Sequence, residues 1–211
     1  MTYDANTPIG TFLDAAAAKQ PTPGGGSVTA LVGAFAAAMG EMTVNYSVGK
    51  KGLEAHQDQL RASLAELHRA RQLLMGLMAE DQQAYAALTA AKKLPEGSPE
   101  RENNFAVALL ACVRVPQAMG AACTAILERC DAIVGTVNFY LLSDLAVCAD
   151  LAMAATRCSV YNVRVNLAEL TDAAERDRIE TATERVLLHA SSVIQRVSSR
   201  IWERHLHGAD A

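Results

Sequence analysis

The sequence predicts an all-α protein, a bundle of long and kinked helices. Three observations carry that expectation. Of the 211 residues, 51% are hydrophobic but only 5% aromatic, so the apolar content is mostly Ala, Leu and Val, a composition suited to closely packed helices. Apolar residues recur at spacings of three and four through most of the chain. No run of alternating β-branched residues is long enough to seed a sheet, and the nearest, Val160 to Val165, is too short to found one.

The elements follow in order. Thr7 is placed to cap a first short helix through Ala18. Pro21, Pro23 and Gly24 to Gly26 then break the chain. Ser27 is a good N-cap for a second helix reaching about Val48, nearly all small and apolar up to Met39. Gly33, Ala37 and Gly40 permit close backbone approach there. Such a helix is buried centrally or lies in an oligomer interface. Gly49-Lys50-Lys51-Gly52 ends it. A third helix, from about Leu53 to Lys93, carries a seam of Leu60, Leu64, Leu67, Arg71, Leu74, Met78, Asp81, Tyr85 and Leu88. Leu94 to Pro99 reads as a loop. A fourth helix begins near Asn104 and continues past Pro116, which should kink it. After a break near Asp131 to Tyr140, Ser143 is placed to cap an apolar helix through about Arg157. Thr171 or Asp172 starts the last helix, with Asp172 and Glu175 in capping-box spacing. Its core stripe is Ile179, Val186, Ala190, Val193, Val197 and Ile201. No internal repeat and no Gly/Ser-rich linker divides the chain, so residues 1–211 read as one helical domain.

A net charge of −4 argues against a nucleic-acid binder working by bulk charge. The five Cys form no C-x-x-C and sit in apolar helical surroundings, which predicts reduced packing residues. The five His show no metal-ligand spacing, so no metal site is expected. No basic segment followed by an apolar run opens the chain, so no signal peptide is expected and the cytoplasm is the default location. The longest uncharged stretch, Gln20 to Gly40, has an apolar part too short and too rich in Ala and Gly to predict a membrane span.

Several residues break the pattern. Asp81 sits in the apolar seam, where partial desolvation raises a carboxyl pKa and makes a proton carrier near neutral pH. Two plainer alternatives stand beside that one: a buried salt bridge to an Arg on another helix, or a drifting seam that leaves Asp81 with Glu80 on a wet face. Arg71 reads as a side chain whose stem packs while its head reaches solvent. Arg114, the lone charge between Phe105 and Leu127, needs an anion: Asp144, Asp81 or a ligand carboxylate. Asp144 accepts N-terminal amides as part of a cap, or orients a ligand. Gly24-Gly25-Gly26-Ser27 opens a helix and is either a plain turn or a cradle for an anion or polar ring edge. It is neither a P-loop nor a dinucleotide fingerprint, because no Gly-Lys-Ser/Thr follows and no strand precedes it. Lys50 and Lys51 read as a solvated helix end or as a hold for a polyanionic tail.

Pro21-Thr-Pro-Gly-Gly-Gly-Ser27, the small-residue helix after it and Gly49-Lys50-Lys51 resemble the cyclodeaminase/cyclohydrolase family of folate enzymes. Three further stretches agree in order: Asp81-Gln-Gln-Ala-Tyr85 with Leu94-Pro95 after it, Ser143-Asp144 before an Ala-rich helix, and Asn162-Val-Arg-Val-Asn166-Leu167. The resemblance implies an all-helical fold that forms homodimers, with Asp81 as the catalytic carboxyl. It implies a tetrahydrofolate derivative as substrate, with no metal or redox cofactor, no nucleic acid and no membrane. Pro23, Gly24, Gly25, Gly26 and Ser27 are the implied hold on the pterin or amide linker. Lys50 and Lys51 are implied to meet the glutamate tail, while Asn138, Ser143, Asp144, Asn162 and Asn166 are implied ligand contacts. One segment departs from the family pattern Gly-Asn-x-Asn, reading Gly135-Thr136-Val137-Asn138 here. With no formimidoyltransferase domain in the sequence, methenyltetrahydrofolate cyclohydrolase is expected ahead of formiminotetrahydrofolate cyclodeaminase, and an inactive folate-binding or structural helical dimer is the rival of another class.

Overall fold

A computed structural model describes residues 2–207. Six helices account for most of it: α1 (Ile9–Ala17), α2 (Gly25–Asn45), α3 (Gln57–Lys92), α4 (Pro99–Ile133), α5 (Leu142–Leu167) and α6 (Ala173–His207). Short 3-10 turns stand at Glu54–His56 and Phe139–Leu141. Helices α2 to α5 form a ring in which each packs on the next and α5 closes on α2, while α6 packs on α4 and α5. The chain runs up and down through this ring. One end therefore collects the start of α2, the end of α3, the start of α4 and the end of α5. The other end collects the turn at Lys50, the start of α3 and the segment from Val134 to Ser143.

The ring closes tightly because α2 presents small residues inward. A Cβ on Gly33 would lie 2.7 Å from the Cys123 Sγ and 3.1 Å from Leu74, and one on Gly40 would lie 3.1 Å from both the Cys148 Sγ and Leu67. The seam of α3 supplies Leu60, Leu67, Leu74, Met78 and Leu88 to the interior. Ile179, Ala190, Val193, Val197 and Ile201 are the buried stripe of α6, with Val186 half-buried.

Helix boundaries differ from the sequence reading for identifiable reasons. Gly24, not Ser27, is the N-cap of α2, so Ser27 falls inside the first turn and its hydroxyl is free for another partner. Pro8, not Thr7, precedes α1. Helix α4 starts at Pro99 rather than near Asn104: the Ser98 Oγ accepts the Arg101 amide at 3.2 Å and Pro99 occupies the first turn, where its missing N–H costs nothing. Ser143 does not cap α5, and α5 continues to Leu167, well past Arg157. Asp172 does cap α6, its Oδ1 accepting the amides of Ala174 and Glu175 at 2.9 and 3.1 Å.

Pro116 lies inside α4 and removes the donor that the Cys112 carbonyl would otherwise meet. The Asn166 side chain replaces it, its Nδ2 donating to the Cys112 carbonyl at 3.0 Å. Arg71 is not free-headed: its Nε donates to Glu41 Oε1 at 2.5 Å across the α2–α3 contact, which holds its pKa up. Arg114 meets neither Asp81 nor Asp144 but Glu175 of α6, at 3.4 Å. Cys112, Cys123, Cys130 and Cys148 are buried and unpaired as expected, whereas Cys158 is exposed.

By length and hydropathy three helical stretches are apolar enough to cross a membrane: Gly25–Asn45, Pro99–Ile133 and Phe139–Leu167. The sequence reading takes the apolar part of the first as too short and too rich in Ala and Gly to span, whereas by length and hydropathy it qualifies. About half of each apolar window is buried within the bundle (56%, 44% and 44%), so a substantial apolar remainder faces outward. On α2 and α5 the exposed apolar side chains include Val28 and Phe35, and Val147, Tyr161 and Val165.

Candidate active site

The start of α2, the last turns of α3, the middle of α4 and the end of α5 enclose a cavity of about 330 Å³. Its lining comes from the Pro21–Gly26 loop, from Asp81, Tyr85, Leu88 and Lys92 of α3, from Cys112 and Pro116 of α4, and from Asn162, Val165, Asn166 and Glu169 at the end of α5. A larger groove of about 560 Å³ between α3 and α4 is half lined by alanines and carries a single ionisable side chain, Glu100. Of the two, only the smaller holds both acidic and basic side chains, Asp81 and Glu169 with Lys92.

Asp81 lies against that N-terminus. The Ser27 Oγ donates to its Oδ2 at 3.0 Å. Gly26 is the reason the carboxylate fits: a Cβ there would stand 2.0 Å from Oδ1 and 2.5 Å from Cγ. Burial pushes the Asp81 pKa up, and hydrogen bonding from the Ser27 hydroxyl and backbone opposes part of that rise. Neither plainer alternative holds. Among the described residues Asp81 has no Arg partner, and it is half-buried in the cavity wall rather than turned to solvent with Glu80. The arrangement suits a group that takes a proton from a nucleophile and hands it to a leaving atom, and whose negative charge steadies a cation in front of it.

The glycine loop is held by a relay from α5. Asn162 Nδ2 donates to Thr29 Oγ1 at 3.3 Å and to the Cys158 carbonyl at 2.9 Å, and Thr29 Oγ1 donates to the Gly25 carbonyl at 2.7 Å. Asn162 Oδ1 lies close over Gly25, 3.2 Å from where a Cβ would be. Asn166, which lines the cavity, spends its Nδ2 on the carbonyls of Cys112 and Asn162. Pro23 and Ser27 are buried behind the lining rather than part of it. The bonds of Gln82 tie the N-terminal strap down beside Asp81: its Oε1 accepts the Tyr3 amide at 2.8 Å and its Nε2 donates to the Tyr3 carbonyl at 2.9 Å.

The expected site residues thus divide. Gly24, Gly25, Gly26, Ser27, Asp81, Asn162 and Asn166 come together. Lys50, Lys51, Asn138, Ser143 and Asp144 do not join them, because they gather at the other end of the ring. Lys50 Nζ donates to Asn138 Oδ1 and lies 5.3 Å from the centroid of the Tyr140 ring, while the Asn138 amide donates to Ser47 Oγ at 2.9 Å. The 21-residue span of α2 separates the two ends by roughly 30 Å. Within one chain, then, Lys50 and Lys51 lie too far away to meet the first glutamate of a ligand seated on Asp81.

Sequence reasoning missed Lys92, Cys112 and Glu169. The Cys112 thiol is pushed up to about 11, chiefly by burial and then by the Asp81 charge, with Lys92 acting the other way. That places it among the cavity's charges but keeps it protonated at neutral pH. Nothing in the sequence marked these three residues, because a terminal-turn Lys, an isolated Glu and a Cys in an apolar helix each have ordinary explanations.

A match to the family Formiminotransferase-cyclodeaminase covers residues 8–185. Over 196 residues the chain is 31% identical to a methenyltetrahydrofolate cyclohydrolase from Methylorubrum extorquens, spanning 91% of this chain and 94% of that protein. It is 31% identical over 179 residues to a formimidoyltransferase-cyclodeaminase from Gallus gallus, spanning 83% of this chain but 33% of that longer protein. A solved formiminotetrahydrofolate cyclodeaminase from Thermotoga maritima superposes with a TM-score of 0.87 at 28% identity, covering 94% of this chain and 97% of that one.

Proposed function

The chain belongs to the formiminotransferase-cyclodeaminase family, and from that premise we propose that it hydrolyses methenyltetrahydrofolate, acting on the carbon that bridges N5 and N10. The observation that carries this reading is Asp81, a carboxyl of raised pKa seated on Ser27 and Gly26 in the wall of the cavity. Water attacks the cationic methenyl carbon and Asp81 takes its proton. The tetrahedral carbon then collapses: its hydroxyl releases the second proton of the water to solvent as the C=O forms, one C–N bond breaks, and Asp81 returns the first proton to the departing nitrogen, leaving a formyl group. Before attack, the carboxylate faces the cation and stabilises it. The Gly24–Gly26 loop, Asn162 and Asn166 supply hydrogen-bonding groups for the pterin. The chemistry calls for neither a metal nor a redox cofactor.

Similarity to the cyclohydrolase from Methylorubrum extorquens along nearly its whole length supports hydrolysis. The likeness to the cyclodeaminase from Thermotoga maritima supports a second reading, in which N10 attacks a formimino carbon and ammonia leaves. The same carboxyl serves both. Two absorbance assays separate them, one following loss of methenyltetrahydrofolate above the buffer rate, the other following methenyl formation from formiminotetrahydrofolate. Turnover of the first alone is expected. Turnover of the second establishes a cyclodeaminase, and tight folate binding without turnover of either indicates a binding protein.

The working unit we propose is a homodimer joined through the outward apolar side chains of α2 and α5. A second copy is favoured as the occupant because each chain divides its expected ligand contacts between two distant ends. A two-fold pairing that crosses these helices offers the Lys50–Asn138 end, with Ser143 and Asp144, to the partner's Asp81 cavity. Light scattering is expected to give a dimer at micromolar concentration. A fully active monomer contradicts this arrangement, and recovery of the protein with lipid vesicles assigns the apolar face to a membrane instead.

A further inference from the structure

At the mouth of the Asp81 cavity, the last turn of α3 carries Lys92. Among the described residues it is the one Lys or Arg lining that cavity. Its Nζ meets Glu169 at 2.7 Å, and its ammonium lies 5.8 Å from the centroid of the Phe105 ring. Both partners of this ion pair are well exposed, Lys92 at 44% and Glu169 at 39% of the side chain. An exposed pair of this kind contributes little, so an incoming anion exchanges with Glu169 at small cost.

Lys92 follows Asp81 by eleven residues, three helical turns, so both project from one face of α3 about 16 Å apart along the axis. Helical side chains lean toward the N-terminus, which brings the long Lys side chain back toward Asp81. A carbon bridging N5 and N10 is separated from the first glutamate of a folate by an aryl ring and an amide, roughly 10 Å by ordinary bond lengths. With the reacting carbon at Asp81, the glutamate carboxylates come within reach of Lys92.

We propose that Lys92 is the carboxylate-recognition residue of this site: it releases Glu169 to bind the first glutamate of the substrate, and so sets the preference for glutamate-bearing over shortened pterins. The inference rests on the folate reading above. It assigns the proximal glutamate to a residue of the same chain as Asp81 and leaves Lys50 and Lys51 for contacts farther out. Glu169 acts as a placeholder that keeps the ammonium over Phe105 until a carboxylate arrives.

The test compares 5,10-methenyltetrahydrofolate with 5,10-methenyltetrahydropteroate, which lacks the glutamate, on the wild type and on Lys92→Gln, Lys92→Arg and Glu169→Gln. Loss of an exposed charge contact predicts a KM for the glutamate-bearing substrate raised about 2- to 5-fold in Lys92→Gln, with kcat little changed. The pteroate should show no such rise. Lys92→Arg should recover most of the loss, and Glu169→Gln should lower KM several-fold. An equal rise for both substrates, or none for either, overturns the assignment. Calorimetry with 5-formyltetrahydrofolate and 5-formyltetrahydropteroate keeps the two claims apart. If the wild type turns over neither substrate but Lys92→Gln still loses the glutamate-dependent affinity, the reaction is wrong and the subsite stands. If the wild type binds both compounds alike, the subsite falls.

Discussion

Gly26→Ala tests whether the seat of Asp81 sets the rate. The new methyl would begin 2.0 Å from Asp81 Oδ1, 2.5 Å from Cγ and 2.8 Å from Oδ2, so the whole carboxylate is in its way. Clearing Oδ1 to an ordinary contact beyond 3.0 Å takes a shift of at least about 1 Å. That shift stretches or breaks the 3.0 Å bond from the Ser27 hydroxyl. A misplacement of this size costs about 100-fold in rate, or ~2.7 kcal/mol in activation free energy. Stability should move little, because Ala in the first turn of a helix is favoured over Gly by roughly 0.5–1 kcal/mol and the obstacle is the free end of a side chain. Gly25→Ala is the internal comparison, since its methyl would meet only Asn162 Oδ1, at 3.2 Å, which needs to give by a few tenths of an ångström. The assay is kcat for whichever of the two folate substrates the wild type turns over, beside a thermal melt of each variant. A fall of about two orders of magnitude for Gly26→Ala is expected, with a much smaller fall for Gly25→Ala and Tm values near wild type. Full kcat in Gly26→Ala would refute the argument that Asp81 acts from this position.

Gly33→Ala places a methyl 2.7 Å from the Cys123 Sγ in the closed ring, and overpacking of that kind should cost about 1–3 kcal/mol, read from denaturant unfolding. Asn166→Leu leaves the Cys112 carbonyl beside Pro116 without a donor and should cost about 1–3 kcal/mol in the same measurement; an unchanged midpoint would mean that another donor reaches it. Asp81→Asn should stabilise the fold at neutral pH. Because the folded-state pKa of Asp81 is raised, its favourable contribution is complete below the unfolded value near 3.8 and is lost as pH rises through the folded one. The variant's gain in Tm should therefore grow from acid to neutral pH, and a gain that shrinks over that range would contradict the burial argument.

How much of this was legible in the sequence depends on the range of the interaction. The three-and-four spacing of α3 exposes Asp81 as a carboxyl in an apolar seam, and the structure keeps it there. Its partner was hidden. Ser27 has good N-cap chemistry, but Gly24 takes the cap, and the bond from Ser27 to Asp81 joins residues 54 apart in the chain. Pro99 misled for a related reason, since proline stops a helix from within but starts one readily. The helical tail of α5 after Arg157 is rich in β-branched and amide residues that lower local helix propensity, and packing of Val160, Val163 and Leu167 overrides it. The separation of Lys50 and Asn138 from Asp81 follows from the alternating direction of the helices, which motif order along a chain does not encode.

We assign the proton transfer to Asp81. The most direct measurement is the pH dependence of kcat for the wild type and for Asp81→Asn, with circular dichroism confirming that both are folded. In the wild type, kcat should fall as pH drops through a single pKa lying above the ordinary carboxylate value of 3.8, the direction burial imposes. Asp81→Asn should lose that limb along with a factor of about 100 or more in rate. A folded Asp81→Asn variant that kept the wild-type rate and acid limb would contradict the claim.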